Sequence, residues 1–234
     1  MIRDRENILG ALGLLLLAVG SGWGLFYTPP ETKMAEVMRI FFIHVPTAWN
    51  ALLIGTFGFG LAVAVLLKKD PRRADAALAA TVEVSCVYML MLLVQGSIWG
   101  KPTWGTYWDW DPRLTSAAVM AVSFAGVLSL RSFAEGARRK AQWTAVATIV
   151  AYVNVPIVYF SVQMTDRTLH QNLSSPTTVS ASYHWPLRAN AFALLFIGIW
   201  LIVRRTRTML LEARGDAEGT APPPEGGLVA GVQG

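Results

Sequence analysis

Apolar runs, each about as long as a bilayer is thick, follow one another along the chain with short polar breaks between them. A hydrocarbon core of roughly 30 Å needs about 20 mostly apolar residues per helical span. Six segments meet that requirement: Ile8–Tyr27, Val45–Leu67, Ala77–Ile98, Leu114–Phe133, Gln142–Val162 and Leu187–Val203. Lipid offers no hydrogen-bond partner, so each is predicted to be a helix that satisfies its own backbone. The expected fold is therefore an all-α integral membrane protein of six transmembrane helices. The first run is long for the apolar part of a secretory signal and lacks a clear small-residue cleavage site, so it reads as a retained helix.

Composition agrees. Of 234 residues, 53% are hydrophobic and 15% charged, and the mean hydropathy is +0.42; these values exclude an ordinary soluble domain. A pI near 9.6 would suggest a nucleic-acid partner in a soluble protein, but here the basic residues sort by membrane face. Arg3, Arg5, Lys68, Lys69, Arg72, Arg73, Arg131, Arg138, Arg139, Lys140, Arg204, Arg205, Arg207 and Arg214 fall on one side. Only Lys33, Arg39, Lys101, Arg113, Arg167 and Arg188 fall on the other. Cytoplasmic loops retain positive charge, so both termini are expected in the cytoplasm and the loops 28–44, 99–113 and 163–186 outside. The membrane domain is read as 1–214, followed by a disordered, Gly- and Pro-rich cytoplasmic tail at 215–234.

The first outer loop is expected to carry a short amphipathic helix along the membrane surface. Thr28-Pro29-Pro30-Glu31 matches a capping box, and Met34, Val37, Met38, Phe41 and Phe42 then recur at helical spacing. The end of that helix would deliver His44 to the mouth of the second span, with Pro46 in the first turn of the span.

The richest segment is WGKPTWGTYWDWDPRLT, residues 99–115. Its tryptophans, Trp99, Trp104, Trp108 and Trp110, together with Tyr107, suit either an interfacial aromatic belt or a rigid platform for a flat aromatic ligand. Asp111 before Pro112 is a candidate N-cap for the fourth helix, while Asp109 is free to orient a histidine or a loop amide. Lys101 and Arg113 bracket the aromatic residues and could pair with ligand carboxylates. All three histidines, His44, His170 and His184, fall on the outer side; singly each reads as solvated, but two imidazoles beside an aromatic platform suit the axial positions of haem iron. Within the spans, Glu83 is either a functional acid or a partner for a neighbouring helix, and Asn154 before Pro156 marks a kink. Cys86 has no partner for an intramolecular disulfide, and no CxxCH motif for covalent haem attachment is present.

The pattern resembles the CcmC family, tryptophan-rich (WWD) haem-handling proteins of bacterial cytochrome c maturation. The resemblance rests on IWGKPTWGTYWDWDPRLTS, on FIHVPTAW around His44 and on TLHQ around His170. It implies His44 and His170 as axial ligands to non-covalently bound haem b, with Trp104, Trp108, Trp110 and Asp111 in the signature loop. It further implies presentation of haem at the periplasmic face of the inner membrane to the chaperone CcmE, alongside CcmA, CcmB and CcmD, without catalytic turnover of its own. The residues Gln163 and Met164 depart from the aromatic character expected before TLHQ. Two other functions remain open at this point: a transporter subunit moving haem across the bilayer, and a haem lyase acting directly on apocytochrome.

Overall fold

The computed structural model describes residues 2–164, 169–170 and 179–219. Six of its helical stretches are long and apolar enough to cross a membrane: Glu6–Phe26, Glu36–Leu67, Arg72–Trp104, Pro112–Phe133, Ala137–Gln163 and Ala181–Gly215. The chain is a multi-pass, all-α membrane protein, and the described residues form no strand beyond an isolated bridge between Glu31 and Ala35. The helices are α1 (Ile2–Phe26), α2 (Phe41–Leu67), α3 (Arg72–Trp104), α4 (Pro112–Phe133), α5 (Ala137–Tyr152), α6 (Asn154–Phe160) and α7 (Ala181–Gly219).

Their ends follow from local chemistry. Gly105, at φ 81°, terminates α3, and its N–H donates to the Lys101 carbonyl at 3.0 Å. Asp111 starts α4 as its N-cap, with Pro112 at the first helical position. The kink foreseen at Pro156 is present: the fifth span divides into α5 and α6 at Val153, and Asn154 Nδ2 donates to the Ala151 carbonyl and to Ser123 Oγ.

Two local expectations are revised. The surface helix is realised as a short 3₁₀ helix, Glu36–Ile40, that runs straight into α2. The capping box does not form, because Thr28 Oγ1 instead donates to the Gly24 carbonyl at 2.6 Å and closes α1. Glu31 caps a separate tight turn, accepting from the N–H groups of Lys33 and Met34 at 2.7 and 2.6 Å; these bonds, that from Met34 foremost, hold its carboxyl below the usual range. Pro46 lies inside α2 rather than in its first turn. A proline there leaves the carbonyl four residues earlier without its helical donor, and the wholly buried Asn190 supplies one, with Nδ2 2.7 Å from the Phe42 oxygen.

Loop boundaries shift as well. Helix α3 reaches Trp104, so Trp99, Lys101 and Trp104 stand on helical turns and the loop proper is 105–111. Within 163–186, residues 165–168 and 171–178 lie outside the described residues, and α7 begins at Ala181; α7 continues to Gly219, and the remainder of the tail, 220–234, lies outside them too.

Helix α2 lies at the centre of the bundle, packed on α3, α5 and α7, while α1 is laid along α7. Small residues permit that last contact: a Cβ on Gly10 would stand 2.6 Å from the Trp200 ring and one on Gly20 2.5 Å from Asn190 Oδ1. The core is built on Leu78, Val82, Met89, Met120 and Phe124, all essentially inaccessible. At the basic end, Arg131 forks onto Asp75 at 2.7 and 3.0 Å and donates to Thr144, tying α3, α4 and α5. Glu83 is paired in the same way with Arg205 of α7, at 2.7 and 3.1 Å. Of the two readings open for Glu83, helix-to-helix bonding is the one observed.

Candidate functional site

Opposite the basic end, four helices and three loop segments enclose a cavity. Its upper part is lined by Met34, Phe41 and His44 from the first loop and α2, Trp99, Thr103 and Trp104 from α3, Trp108, Arg113, and the pair Leu169 and His170. Below lie Ala48, Trp49 and Leu52 of α2, Leu92 and Leu93 of α3, Ala117 of α4 and Val158 of α6.

His44 stands on the first turn of α2, its ring 5.4 Å from that of Trp99 at an interplanar angle of 73°. Gly96 makes room for it: a Cβ at that position would be 3.2 Å from His44 Cε1. Helix α2 therefore presents one imidazole from a rigid support, pressed against the next helix with no side chain between them.

The second imidazole is held by a carboxylate. Asp111 is buried and accepts from the N–H groups of Arg113 at 2.8 Å, Leu114 at 3.4 Å and Leu169 at 2.7 Å. Its Oδ1 also lies 3.0 Å from His170 Nδ1. A carboxylate already accepting backbone N–H bonds takes the proton side of the ring, so Nδ1 is the donor and Nε2 keeps its lone pair. One residue thus caps a helix and sets a histidine tautomer. Asp109, offered by the sequence for orienting a histidine or a loop amide, is exposed, and the histidine is held by Asp111. Burial lowers the His170 pKa, the Arg113 charge adds to that, and Asp111 opposes it; the ring is neutral at physiological pH. Trp104 meets it edge to face, 4.9 Å between centroids.

Of the ten residues singled out in the sequence, His44, Trp99, Trp104, Trp108, Arg113 and His170 line this cavity, and Asp111 stands directly behind His170. Three do not line it. Trp110 and Tyr107 point outward, 79% and 61% exposed, although Trp110 packs edge to face on Trp108 at 5.9 Å. Lys101 bonds the Gly105 carbonyl at 3.0 Å and lies over the Tyr107 ring, so it braces the loop. His184 Nε2 is engaged with the Val179 carbonyl at 3.0 Å on the first turn of α7.

Sequence reasoning missed Met34, Phe41, Trp49, Gly96, Leu169 and Tyr159. Only Gly96, a glycine one turn before Trp99 within an apolar span, carried a readable signal.

Three buried polar atoms on cavity-lining residues have no hydrogen-bond partner among the described residues: His44 Nδ1, Trp99 Nε1 and Arg113 Nε. Leaving such atoms unpaired is unfavourable by about 1–3 kcal/mol each, and their gathering around one cavity marks a place prepared for a ligand. Arg113 is nonetheless positioned, one guanidinium N–H donating to the Tyr159 carbonyl at 3.1 Å. No group of three or more His, Cys, Asp or Glu side chains among the described residues is arranged to hold a bare metal ion. Two neutral imidazoles suit a metal that arrives with equatorial ligands of its own.

The family profile CcmC, described as heme exporter protein C, matches residues 2–220. Heme exporter protein C of Haemophilus influenzae is 34% identical over 207 residues, 86% of this chain and 82% of the relative. The Escherichia coli K12 protein of that name is 31% identical over 205 residues, covering 87% and 82%. That of Paracoccus denitrificans is 34% identical over 201 residues, covering 83% and 82%.

Proposed function

Since the chain belongs to the CcmC family of heme exporter protein C, we propose that it binds haem non-covalently, as haem b, between His44 and His170 and presents it for transfer to the chaperone CcmE. The observation that carries this reading is the convergence of two imidazoles, one locked by Asp111, on a cavity walled by Trp99, Trp104 and Trp108.

The residues fit the cargo. Haem brings four equatorial nitrogens to its iron, so two axial donors complete the shell. Indoles on Trp99, Trp104 and Trp108 offer apolar aromatic surface to a flat macrocycle, and the Arg113 guanidinium supplies charge for propionates. Lys101, Tyr107 and Trp110 shape the loop from outside rather than touching the cargo. Asp111 acts through His170, holding the imidazole by its Nδ1.

In this reading the chain lies in the bacterial inner membrane, with the basic end and both termini cytoplasmic and the cavity at the periplasmic face. Of Glu83, Gln95, Asn50 and Asn154, the polar residues a transport path would draw on, Gln95 keeps a buried Oε1 without a partner among the described residues, while what the other three do favours presentation over transport. Glu83 is bound to Arg205, Asn50 to the carbonyls of Pro46 and Ala191, and Asn154 to Ser123, so these residues tie helices together. CcmA, CcmB and CcmD would then supply translocation energy and release, and CcmE would receive haem by ligand exchange.

The test is the visible absorption spectrum of the detergent-purified chain reconstituted with haem. Six-coordinate, bis-imidazole haem is expected, lost on His44→Ala or His170→Ala. Unchanged binding and spectrum in both variants would sink the assignment.

A further inference from the structure

The walls of the cavity are unequal. Towards α3 and α4 it is sealed, with Leu92, Leu114 and Ala117 only 8%, 9% and 6% exposed. Towards α2 and α6 it is not: the lining residues Trp49 and Tyr159 are 40% and 43% exposed, so each bounds the cavity and also reaches the outer surface of the bundle. Helix α2 leans on α3, α5 and α7 and touches α6 only lightly. Helix α6 is itself a seven-residue piece, set apart from α5 by the break at Val153. The surface beside these two aromatic residues is apolar and exposed at Leu53, Phe57, Ile157 and Phe160, as a face in contact with lipid is.

The depth of the cavity points the same way. Ala48 and Leu52 lie one and two turns beyond His44 along α2, and eight residues of helix rise about 12 Å. Leu92 lies one turn deeper than Gly96 on α3, and Ala117 one turn deeper than Arg113 on α4. At that depth the lining is aliphatic apart from Trp49, whereas the polar groups all stand near the top under Trp104, Trp108, Leu169 and His170.

Building on the haem reading above, we propose that the cavity is filled sideways, from the lipid leaflet, through a window between α2 and α6 flanked by Trp49 and Tyr159. A flat tetrapyrrole with carboxylates on one edge rests in a leaflet with that edge at the headgroups and its hydrocarbon edges among the acyl chains, as other aromatic amphiphiles do. Its passage between the helices exchanges lipid contacts for contacts with Leu52 and Leu93, and no apolar surface meets water on the way. Arg113 and the two imidazoles lie at the height the polar edge already occupies.

The experiment has two arms, both in lipid nanodiscs. In the first, a phospholipid carrying a photoreactive diazirine in its acyl chain is irradiated and the labelled residues are mapped by mass spectrometry. Leu92 and Val158, 8% and 5% exposed in the bundle, are expected to take label alongside outward-facing Leu53, and haem added beforehand is expected to suppress label at the first two only. Label confined to Leu53 and its exposed neighbours overturns the window. In the second arm, Leu53→Trp and Ile157→Trp narrow the window from outside without touching the cavity lining. Uptake of haem from preloaded vesicles is expected to slow several-fold with the same final absorption spectrum, and rates equal to the unsubstituted chain overturn lateral filling. A chain that takes up no haem defeats the haem reading, and the lipid label still decides the window.

Discussion

The two ends of the bundle treat their charged and polar groups in opposite ways. At the basic end, guanidinium groups among the described residues reach across to carboxylates on other helices: Arg131 to Asp75, Arg205 to Glu83, Arg207 to Glu6. At the other end, His44 Nδ1, Trp99 Nε1 and Arg113 Nε are buried without partners among the described residues. The first arrangement commits its interhelical charges to one another and so fastens helices. The second holds unmet hydrogen-bonding capacity in a cavity, which is stable only because the surrounding helices are fastened elsewhere.

The comparison is broken most severely by removing an imidazole, after which the six-coordinate spectrum should vanish. Next in size is Asp111→Asn, which keeps the shape but weakens the hold on the His170 tautomer. Loss of such an orienting partner lowers affinity by about 10- to 100-fold, read by haem titration, while the helix cap is kept because an asparagine oxygen caps as well as an aspartate one. An Asp111→Asn variant that titrates like the unsubstituted chain would show that the carboxylate caps the helix and does nothing for the imidazole.

Acid provides a milder probe. Burial, helped by the Arg113 charge and opposed by Asp111, places the folded His170 pKa below that of a free imidazole. The ring therefore stays neutral and able to ligate through the ordinary histidine range, and is protonated only as pH falls through the lowered value. Haem affinity, followed by absorbance, should decline only as pH falls through that lowered value and so hold steady down past pH ~6.5, the usual imidazole pKa. A decline beginning above that value would contradict the burial of His170.

Smaller still is Gly96→Ala, whose new methyl would press on His44 Cε1 from 3.2 Å. A shift of a few tenths of an ångström in a ligand is expected to weaken haem binding several-fold and perturb the spectrum without abolishing it. The smallest effect on binding belongs to the basic end. Arg131→Met leaves the half-buried Asp75 without its partner and should destabilise the fold by about 2 kcal/mol, measured as a lower thermal midpoint. Haem affinity of the folded fraction should not change. Coupling of the two, with affinity falling alongside stability, would erase the distinction between a fastening end and a binding end.

Much of the fold was legible in the chain because the relevant energies are local. Span number, the kink at Pro156 and the cap at Asp111 all came from residues acting on their own backbone. Errors arose where a side chain had a better distant use: Thr28 looked like a capping residue until the Gly24 carbonyl claimed its hydroxyl. Pro46 looked like a first-turn proline because Asn190, the donor that makes it tolerable deeper in the helix, is 144 residues away. The aromatic loop was recognisable as a unit, but nothing in its order separates inward Trp108 from outward Trp110.

By itself, the amino-acid sequence determined that this protein crosses the membrane six times, that its basic residues gather at one end, and that histidines and indoles collect at the other. Those properties are sums of per-residue transfer energies and charges, which do not depend on how the helices meet. Only the tertiary structure decided that Asp111 grips His170, that Gly96 seats His44, that Arg113 faces the cavity while Lys101 faces the loop, and that the α2–α6 wall is the thin one. Each of these is a distance of a few ångströms between atoms on different helices or loops, and such distances are set by packing.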